Sequence, residues 1–413
     1  MSGAGLRLDD ERRADWLRLI RSENVGPRTF RALLNRFGSA RAALDALPGL
    51  TKNGGKPVRL ADPDDVAREL DAARRMGVRF VALGEPDYPT PLRDIADAPP
   101  LIAVRGDLAA LKRECAAIVG SRNASALGLA MTQRLATGLG QAGYLVVSGL
   151  ARGVDGAAHR ASLSTGTIAV LAGGHRNIYP AEHEKLVEEI VAAGGAVVSE
   201  MPLGWEARGR DFPRRNRIVS GLSLGVVVVE AARRSGSLIT ARFAAEQGRD
   251  VFAVPGHPLD PRAEGPNDLI AEGATMCLDA AQIVAALDAM KDRPRKDLFA
   301  EDVRPSLTEP LWDEIDGLDA DLPAASLDYR FDEPAPAPYT AEAPAPANTP
   351  AQDQAAILAL LGPSPAALDD VLRLAALPTA AARAALVELE MSGQVLRLEG
   401  GRVSSRPPRP DGA

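Results

Sequence analysis

Six short apolar runs recur between residues 115 and 285, at 116–119, 144–148, 167–171, 196–199, 225–229 and 251–254. Each is nearly continuous in Val, Ile, Ala and Leu, without the polar alternation of a strand that faces water on one side. A run of this kind suits a strand covered on both faces. Helical stretches lie between most of the runs, and strands joined through helices cross over right-handedly into a parallel sheet. The expected fold is therefore α/β, a doubly wound, mostly parallel sheet. The runs at 78–83 and 101–105 are expected to add edge strands to it.

The flanks read differently. Over 1–65 the chain suggests short helices, with Trp16, Leu17, Leu19 and Ile20 on one face. Val25-Gly-Pro-Arg28 forms a turn that starts a second helix, which stops at Gly38. This unit looks like a small helix-hairpin-helix or sterile-alpha-motif module, for which packing is the favoured role. The sheet domain is placed at 66–290. Residues 291–350 are rich in Pro and Ala, as in Glu333-Pro-Ala-Pro-Ala-Pro338, and read as a flexible linker. At 351–405 three helices precede a hairpin around Gly400-Gly401, the order of a winged helix. That segment carries six acidic residues against four arginines, and its third helix bears Arg383 with Glu388 and Glu390. It is a poor neutraliser of phosphate, which favours a protein-contact role.

The chain has 413 residues and a formal net charge of −7. Its length suits two or three domains, and its charge argues against a protein that coats nucleic acid non-specifically over its whole surface. A local basic site is not excluded, since fields are screened beyond about 8–10 Å. Cys115 and Cys277 are the two cysteines, with no Cys/His cluster, so no metal is expected. No apolar run approaches the roughly 20 residues that span a bilayer, and no signal pattern opens the chain. The expected location is cytoplasmic, with no membrane partner. No Gly-x-x-x-x-Gly-Lys-Ser/Thr loop, dinucleotide fingerprint or nucleophile elbow is present, and no cofactor is expected.

In an open parallel sheet, ligands collect beyond the carboxyl ends of the strands, and the conspicuous loops here sit at such ends. Gly120-Ser-Arg-Asn-Ala-Ser125 offers a close backbone approach at Gly120, amides and a hydroxyl at Ser121, and a bidentate donor at Arg122. Ser148-Gly149 opens a glycine-rich loop that reaches Asp155 and His159. An acid/base pair is one reading of those two; an aspartate holding the loop and a packed histidine is the other, and is favoured. Ser235-Gly-Ser-Leu-Ile-Thr240 supplies further hydroxyls and amides. Together the loops form an anion-binding shelf, a signal more specific than any one of them.

Beside this shelf five arginines fall within ten residues, Arg208-Gly-Arg-Asp-Phe-Pro-Arg-Arg-Asn-Arg217. One reading is a surface for several phosphates, with the Phe212 ring available to a base. The other is a solvated loop whose arginines pair with neighbouring carboxylates.

Several motifs follow one known pattern: Ile118-Val-Gly-Ser-Arg122, Val147-Ser-Gly-Leu-Ala-Arg-Gly-Val-Asp155 with His159, Gly173-Gly174 with Tyr179-Pro180, Ser199-Glu200, Phe212-Pro-Arg-Arg-Asn-Arg-Ile218, Glu230, Ser235-Gly-Ser-Leu-Ile-Thr240 and Val254-Pro-Gly256. The chain resembles the bacterial DNA-processing protein A family over about 75–275. The resemblance implies a Rossmann-like domain that binds single-stranded DNA without sequence specificity, forms a homodimer, and loads the RecA recombinase during natural transformation. Carried over, Gly120, Ser121 and Arg122 hold a phosphate, Phe212 meets a base, and Arg214, Asn216 and Arg217 complete the basic edge. Ser148, Gly149, Arg215, Ser235, Gly236, Ser237 and Thr240 are placed in the same binding surface, and Asp155, His159, Glu200 and Glu230 in structural loops. Relatives carry a lysine after Tyr-Pro and another three residues before the phenylalanine. Here those positions are Ala181 and Gly209, so Lys185, Arg208 and Arg210 are the candidate substitutes. The alternative is a nucleoside-monophosphate phosphoribohydrolase using Glu200 or Glu230, though the Pro-Gly-Gly-x-Gly-Thr-x-x-Glu motif of such enzymes is missing.

Overall fold

A computed structural model describes residues 7–49, 58–291, 349–375, 377–398 and 401–405 of the chain. Nearly all of the expected proline-rich linker, and the hairpin residue Gly400, lie outside the described residues.

The N-terminal helices start where capping chemistry allows. Helix α1 (Asp10–Arg21) begins after Asp9, whose carboxylate accepts from the Arg12 N–H. Helix α2 (Pro27–Phe37) has proline in its first turn and ends at Gly38, in the left-handed conformation with φ 79°. Helix α3 (Ala40–Ala46) is capped by Ser39. The three close around Trp16 and Phe30, whose rings meet edge to face with centroids 5.0 Å apart. Helix α4 (Pro63–Arg75), capped by Asp62, leads into the sheet.

The main domain runs β1 (Val78–Ala82), α5 (Thr90–Arg93), β2 (Leu101–Gly106), β3 (Cys115–Val119), α6 (Ala126–Gln141), β4 (Leu145–Ser148), α7 (Val154–Ser162), β5 (Thr167–Val170), α8 (Glu184–Ala192), β6 (Ala196–Ser199), α9 (Asp211–Gly221), β7 (Gly225–Val228), α10 (Gly236–Glu246), β8 (Asp250–Ala253), α11 (Glu264–Ala271), β9 (Thr275–Met276) and α12 (Ala280–Lys291). The strands form one sheet in the order β1-β2-β6-β5-β4-β3-β7-β8-β9. Every pairing from β6 to β9 is parallel, while β1 and β2 join antiparallel at one edge. The mostly parallel, doubly wound sheet expected from the apolar runs is thus present. Strand β9 was not foreseen: its two residues are exposed and form no apolar run.

Strands β3 to β6 step one way across the sheet, and the chain then returns to place β7 on the other side of β3. Loops after β3 and β7 therefore diverge, which opens a crevice at the carboxyl edge. Helix α9 makes the return journey from β6 past β5, β4 and β3. One sheet face packs Val119, Val147, Val170, Val198 and Val228 on Ile218, Val219 and Ala241, in a core continuous with that of α1–α3. The other face packs Ile118, Val146 and Val227 on α6, α7 and α12, with α8 covering Ala169 and Val197.

The C-terminal unit comprises α13 (Pro350–Leu360), β10 (Ala366–Ala367), α14 (Leu368–Leu374), α15 (Thr379–Met391), β11 (Val395–Leu398) and β12 (Arg402–Ser405), the three strands forming an antiparallel sheet. This is a winged helix around Ile357, Val371, Leu386 and Val403. Residues 366 and 367, just before α14, pair with β12. Ala126 of α6 joins its core. Arg262, held by Asp260 at 3.2 Å, donates to the Ala359 carbonyl at 2.9 Å and to that of Leu361. Those carbonyls lie at the end of α13, where helix acceptors have no partner of their own. Arg262→Ala should destabilise the winged helix by about 1–3 kcal/mol. The expected readout is faster amide exchange across α13–α15 with β3–β8 unchanged; equal exchange in both proteins would refute the contact.

Candidate nucleic-acid interface

Most Gly and Ser residues of the strand-end loops turn out to hold the loops to one another. Gly120 is buried, and a Cβ there would come within 2.6 Å of Val154 Cγ2; its carbonyl accepts from Ser237 Oγ at 2.7 Å. Ser148 is fully buried and donates to the Ile118 carbonyl. The Glu230 carboxylate accepts from the Ser125 amide and hydroxyl at 2.8 and 2.6 Å, fixing the start of α6. Asp155 accepts from the amides of Gly149 and Ala151, at 3.0 and 3.3 Å. Burial raises its pKa, opposed by the nearby Arg215 charge. Thr240 is buried, whereas Ser235, Gly236 and Ser237 are half-buried at the start of α10. Ser121 is half-buried, and its hydroxyl accepts from the Asn123 amide.

Helix α9 divides the arginine run. Arg217 points inward, 4% exposed, and its Nη2 lies 2.7 Å from both Glu200 oxygens. Its Nε lies 3.3 Å from Asp97. Arg215, 6% exposed, donates to the Val170 carbonyl at 2.7 Å. Burial lowers its pKa to about 10, with Asp155 pulling the other way, so it stays charged near neutrality. Asn216 donates to the Gly236 carbonyl. These three were placed on the DNA-binding edge from sequence, and Gly120, Ser148, Gly149 and Thr240 with them. All seven are buried: Arg217, Arg215, Asn216 and Ser148 have polar atoms engaged within the protein, and the missing side chains at Gly120 and Gly149 leave room for Val154 and Arg215.

The exposed remainder is compact in character. Arg122, Arg208, Arg210 and Arg214 are exposed, and Phe212 is half-buried. The Arg122 guanidinium lies 5.1 Å from the centre of the Phe212 ring. Tyr179 meets the same ring edge to face at 5.3 Å and is 39% exposed. Arg214 also reaches Glu200, at 3.5 Å, so two arginines of the run, Arg214 and Arg217, pair with that carboxylate. Lys185 pairs with Glu189 at 3.7 Å. Sequence reasoning overlooked Trp205, whose ring lies 4.7 Å from the Arg208 guanidinium; a tryptophan beside an arginine run, in a chain only 4% aromatic, was the available signal.

The arrangement offers little to acid/base chemistry. His159 Nδ1 bonds Thr167 Oγ1 at 2.8 Å, and Thr167 gives its own proton to the Val146 carbonyl, so the histidine is the donor. Neither Asp155 nor solvent is its partner. Glu200 and Glu230, the carboxylates a hydrolase would need, are occupied by Arg217 and Ser125. Among the described residues, no group of acidic, His or Cys side chains could hold a metal ion, and no helix is long and apolar enough to cross a membrane.

Residues 79–288 match the family described as DNA recombination-mediator protein A, residues 10–72 the DprA-like N-terminal HHH domain, and residues 341–401 the DprA winged helix domain. Protein Smf of Escherichia coli (strain K12) is 42% identical over 244 residues, covering 56% of this chain and 65% of that protein, just under two thirds of its length. Protein Smf of a Synechocystis strain is 32% identical over 408 residues, covering 95% and 98%. The X-ray structure of DNA processing protein A from Streptococcus pneumoniae superposes with a TM-score of 0.55 at 30% identity, covering 68% of this chain and 98% of that one.

Two outcomes are expected from the buried groups. Arg217→Ala should cost about 3–5 kcal/mol of stability, because it removes the nearer, buried partner of the Glu200 charge and leaves only the exposed Arg214, at 3.5 Å. A fully stable variant would refute the buried pair. Burial also pushes His159 and His175 down to about 3 and about 4, from an ordinary 6.5. Both stay neutral when folded, so the unfolded chain takes up protons that the native state refuses. Their contribution is complete above about pH 6.5 and is lost as pH falls toward 4, at about 1.4 kcal/mol per histidine per unit. Urea denaturation across this range should show that slope, and His175→Gln should flatten it.

Proposed function

We propose, since the chain belongs to the DNA recombination-mediator protein A family, that it binds single-stranded DNA without regard to sequence and loads the RecA recombinase onto it. The observation that carries this reading is the Arg122–Phe212–Tyr179 cluster at the carboxyl edge of the sheet. A guanidinium supplies a strong phosphate contact. A partly exposed ring supplies a face for a base, and every base has such a face, so stacking tolerates any sequence. In a duplex those faces are already covered. A net charge of −7 confines such binding to a local basic edge, where Arg208, Arg210 and Arg214 extend the same surface.

The name of a relative, DNA processing protein A, supports a role in processing DNA. Homodimer formation and a part in natural transformation enter the proposal through the family resemblance, and a cytoplasmic location through the sequence reading. The protein acts, in this reading, by binding and handing over a strand.

Arg122→Ala should weaken binding to a short oligothymidylate by about 1–2 kcal/mol and reduce the salt dependence, because fewer counterions are released. Anisotropy titrations at several salt concentrations, with a duplex of equal length as control, provide the measurement. Unchanged affinity in a folded variant would remove the basis for the site. The RecA step is tested separately, by asking whether the protein speeds RecA assembly on the same strand.

A further inference from the structure

The loop between β6 and α9 carries a second pairing of guanidinium and ring, of which the reading above uses Arg208 as part of the basic edge and leaves Trp205 out. Its backbone is fastened to the loop after β5. The Trp205 carbonyl accepts from the Gly174 amide at 2.9 Å, the Leu203 carbonyl from Arg176 at 2.9 Å, and the Gly204 carbonyl from the Asn177 side chain at 2.8 Å. Asp211, the first residue of α9 and 4% exposed, completes the anchorage. One of its oxygens accepts from Trp205 Nε1 and from the Arg208 amide, both at 2.9 Å. The Asp211 amide returns a bond to the Arg208 carbonyl at 2.8 Å.

The indole is therefore held by its edge, and its ring is left half-buried with the Arg208 guanidinium 4.7 Å from its centre. Among the described residues no carboxylate pairs with that guanidinium. An arginine kept near a ring rather than near an acid retains its charge and hydrogen-bond donors for a ligand. Asp211 immediately precedes Phe212, so the buried carboxylate that pins Trp205 and Arg208 sits next to the ring that meets Arg122.

We propose that Trp205 and Arg208 form a second nucleotide subsite beside Phe212 and Arg122. A base stacks on the indole or on the guanidinium plane, and Arg208 meets the adjoining phosphate. The ligand class is an unpaired nucleotide of a single strand, and the proposal rests on the single-strand reading above. Arg208 thereby supplies the cation on a loop whose Gly209 cannot.

The chain has three tryptophans, at 16, 205 and 312. Trp16 is fully buried in the N-terminal core and gives a constant background. The test uses the full-length chain carrying Trp312→Phe, titrated with a short oligothymidylate while tryptophan emission and anisotropy are followed. Binding should quench the emission. Trp205→Leu should abolish the quench and weaken binding about 5- to 100-fold, the range of one stacked base, whereas Trp205→Phe, which keeps a ring, should restore affinity to within a few fold. Arg208→Gln should lower the salt slope, and Arg208→Lys should retain most of it. A Trp205→Leu protein that melts earlier yet binds with unchanged affinity and salt slope per folded molecule would overturn the subsite while leaving the Phe212 site intact. Failure of the Trp312→Phe protein to bind the oligonucleotide at all would overturn the single-strand reading, and the subsite with it.

Discussion

The pair between Arg217 and Glu200 is the constraint on which the candidate surface depends. Glu200 directly follows β6 and Arg217 lies on α9, so their bond fixes the helix that returns across the sheet. The same glutamate draws in the N-terminal module, since Arg21 donates to its carbonyl at 3.1 Å. Arg21 also pairs with Glu69, which accepts from the Leu203 amide. A buried ion pair contributes little net stability compared with well-packed apolar residues, but breaking one is expensive. Its value here is positional. With Arg217 and Arg215 turned inward, the geometry of α9 leaves Arg214 and Phe212 toward the rim.

The sheet was legible because its signal is local. An apolar run of four or five residues flanked by helices specifies a strand covered on both faces, whatever lies far away in sequence. Strand β9 lacked such a run and was invisible; it exists because the chain after α11 passes along the edge of β8. The antiparallel edge was legible as strands, though not in direction.

The candidate surface was legible as a region and only partly as residues. Whether an arginine on α9 faces solvent or Glu200 depends on how the return connection crosses the strands, a long-range property that no local pattern contains. Serines and glycines at strand ends were read as ligands for an anion. Several instead satisfy carbonyls or permit close packing between loops that converge at the switch point, as Ser237 does for Gly120 and Ser148 for Ile118. Trp205 was missed because its partner, Asp211, is six residues on and reaches back across a loop of no regular structure.

Gly149 and Arg215 illustrate a different kind of dependence. A Cβ at position 149 would lie 1.9 Å from Arg215 Nη1, and that guanidinium is tethered to the end of β5. Two residues far apart in the chain thus share one volume. A side chain at 149 displaces the Arg215 guanidinium or calls for a shorter residue at 215, and either change abandons the Val170 carbonyl and the neighbourhood of Asp155. The two positions can drift only as a pair, so a library randomised at 149 alone should return glycine, while one randomised at both has a path to other solutions.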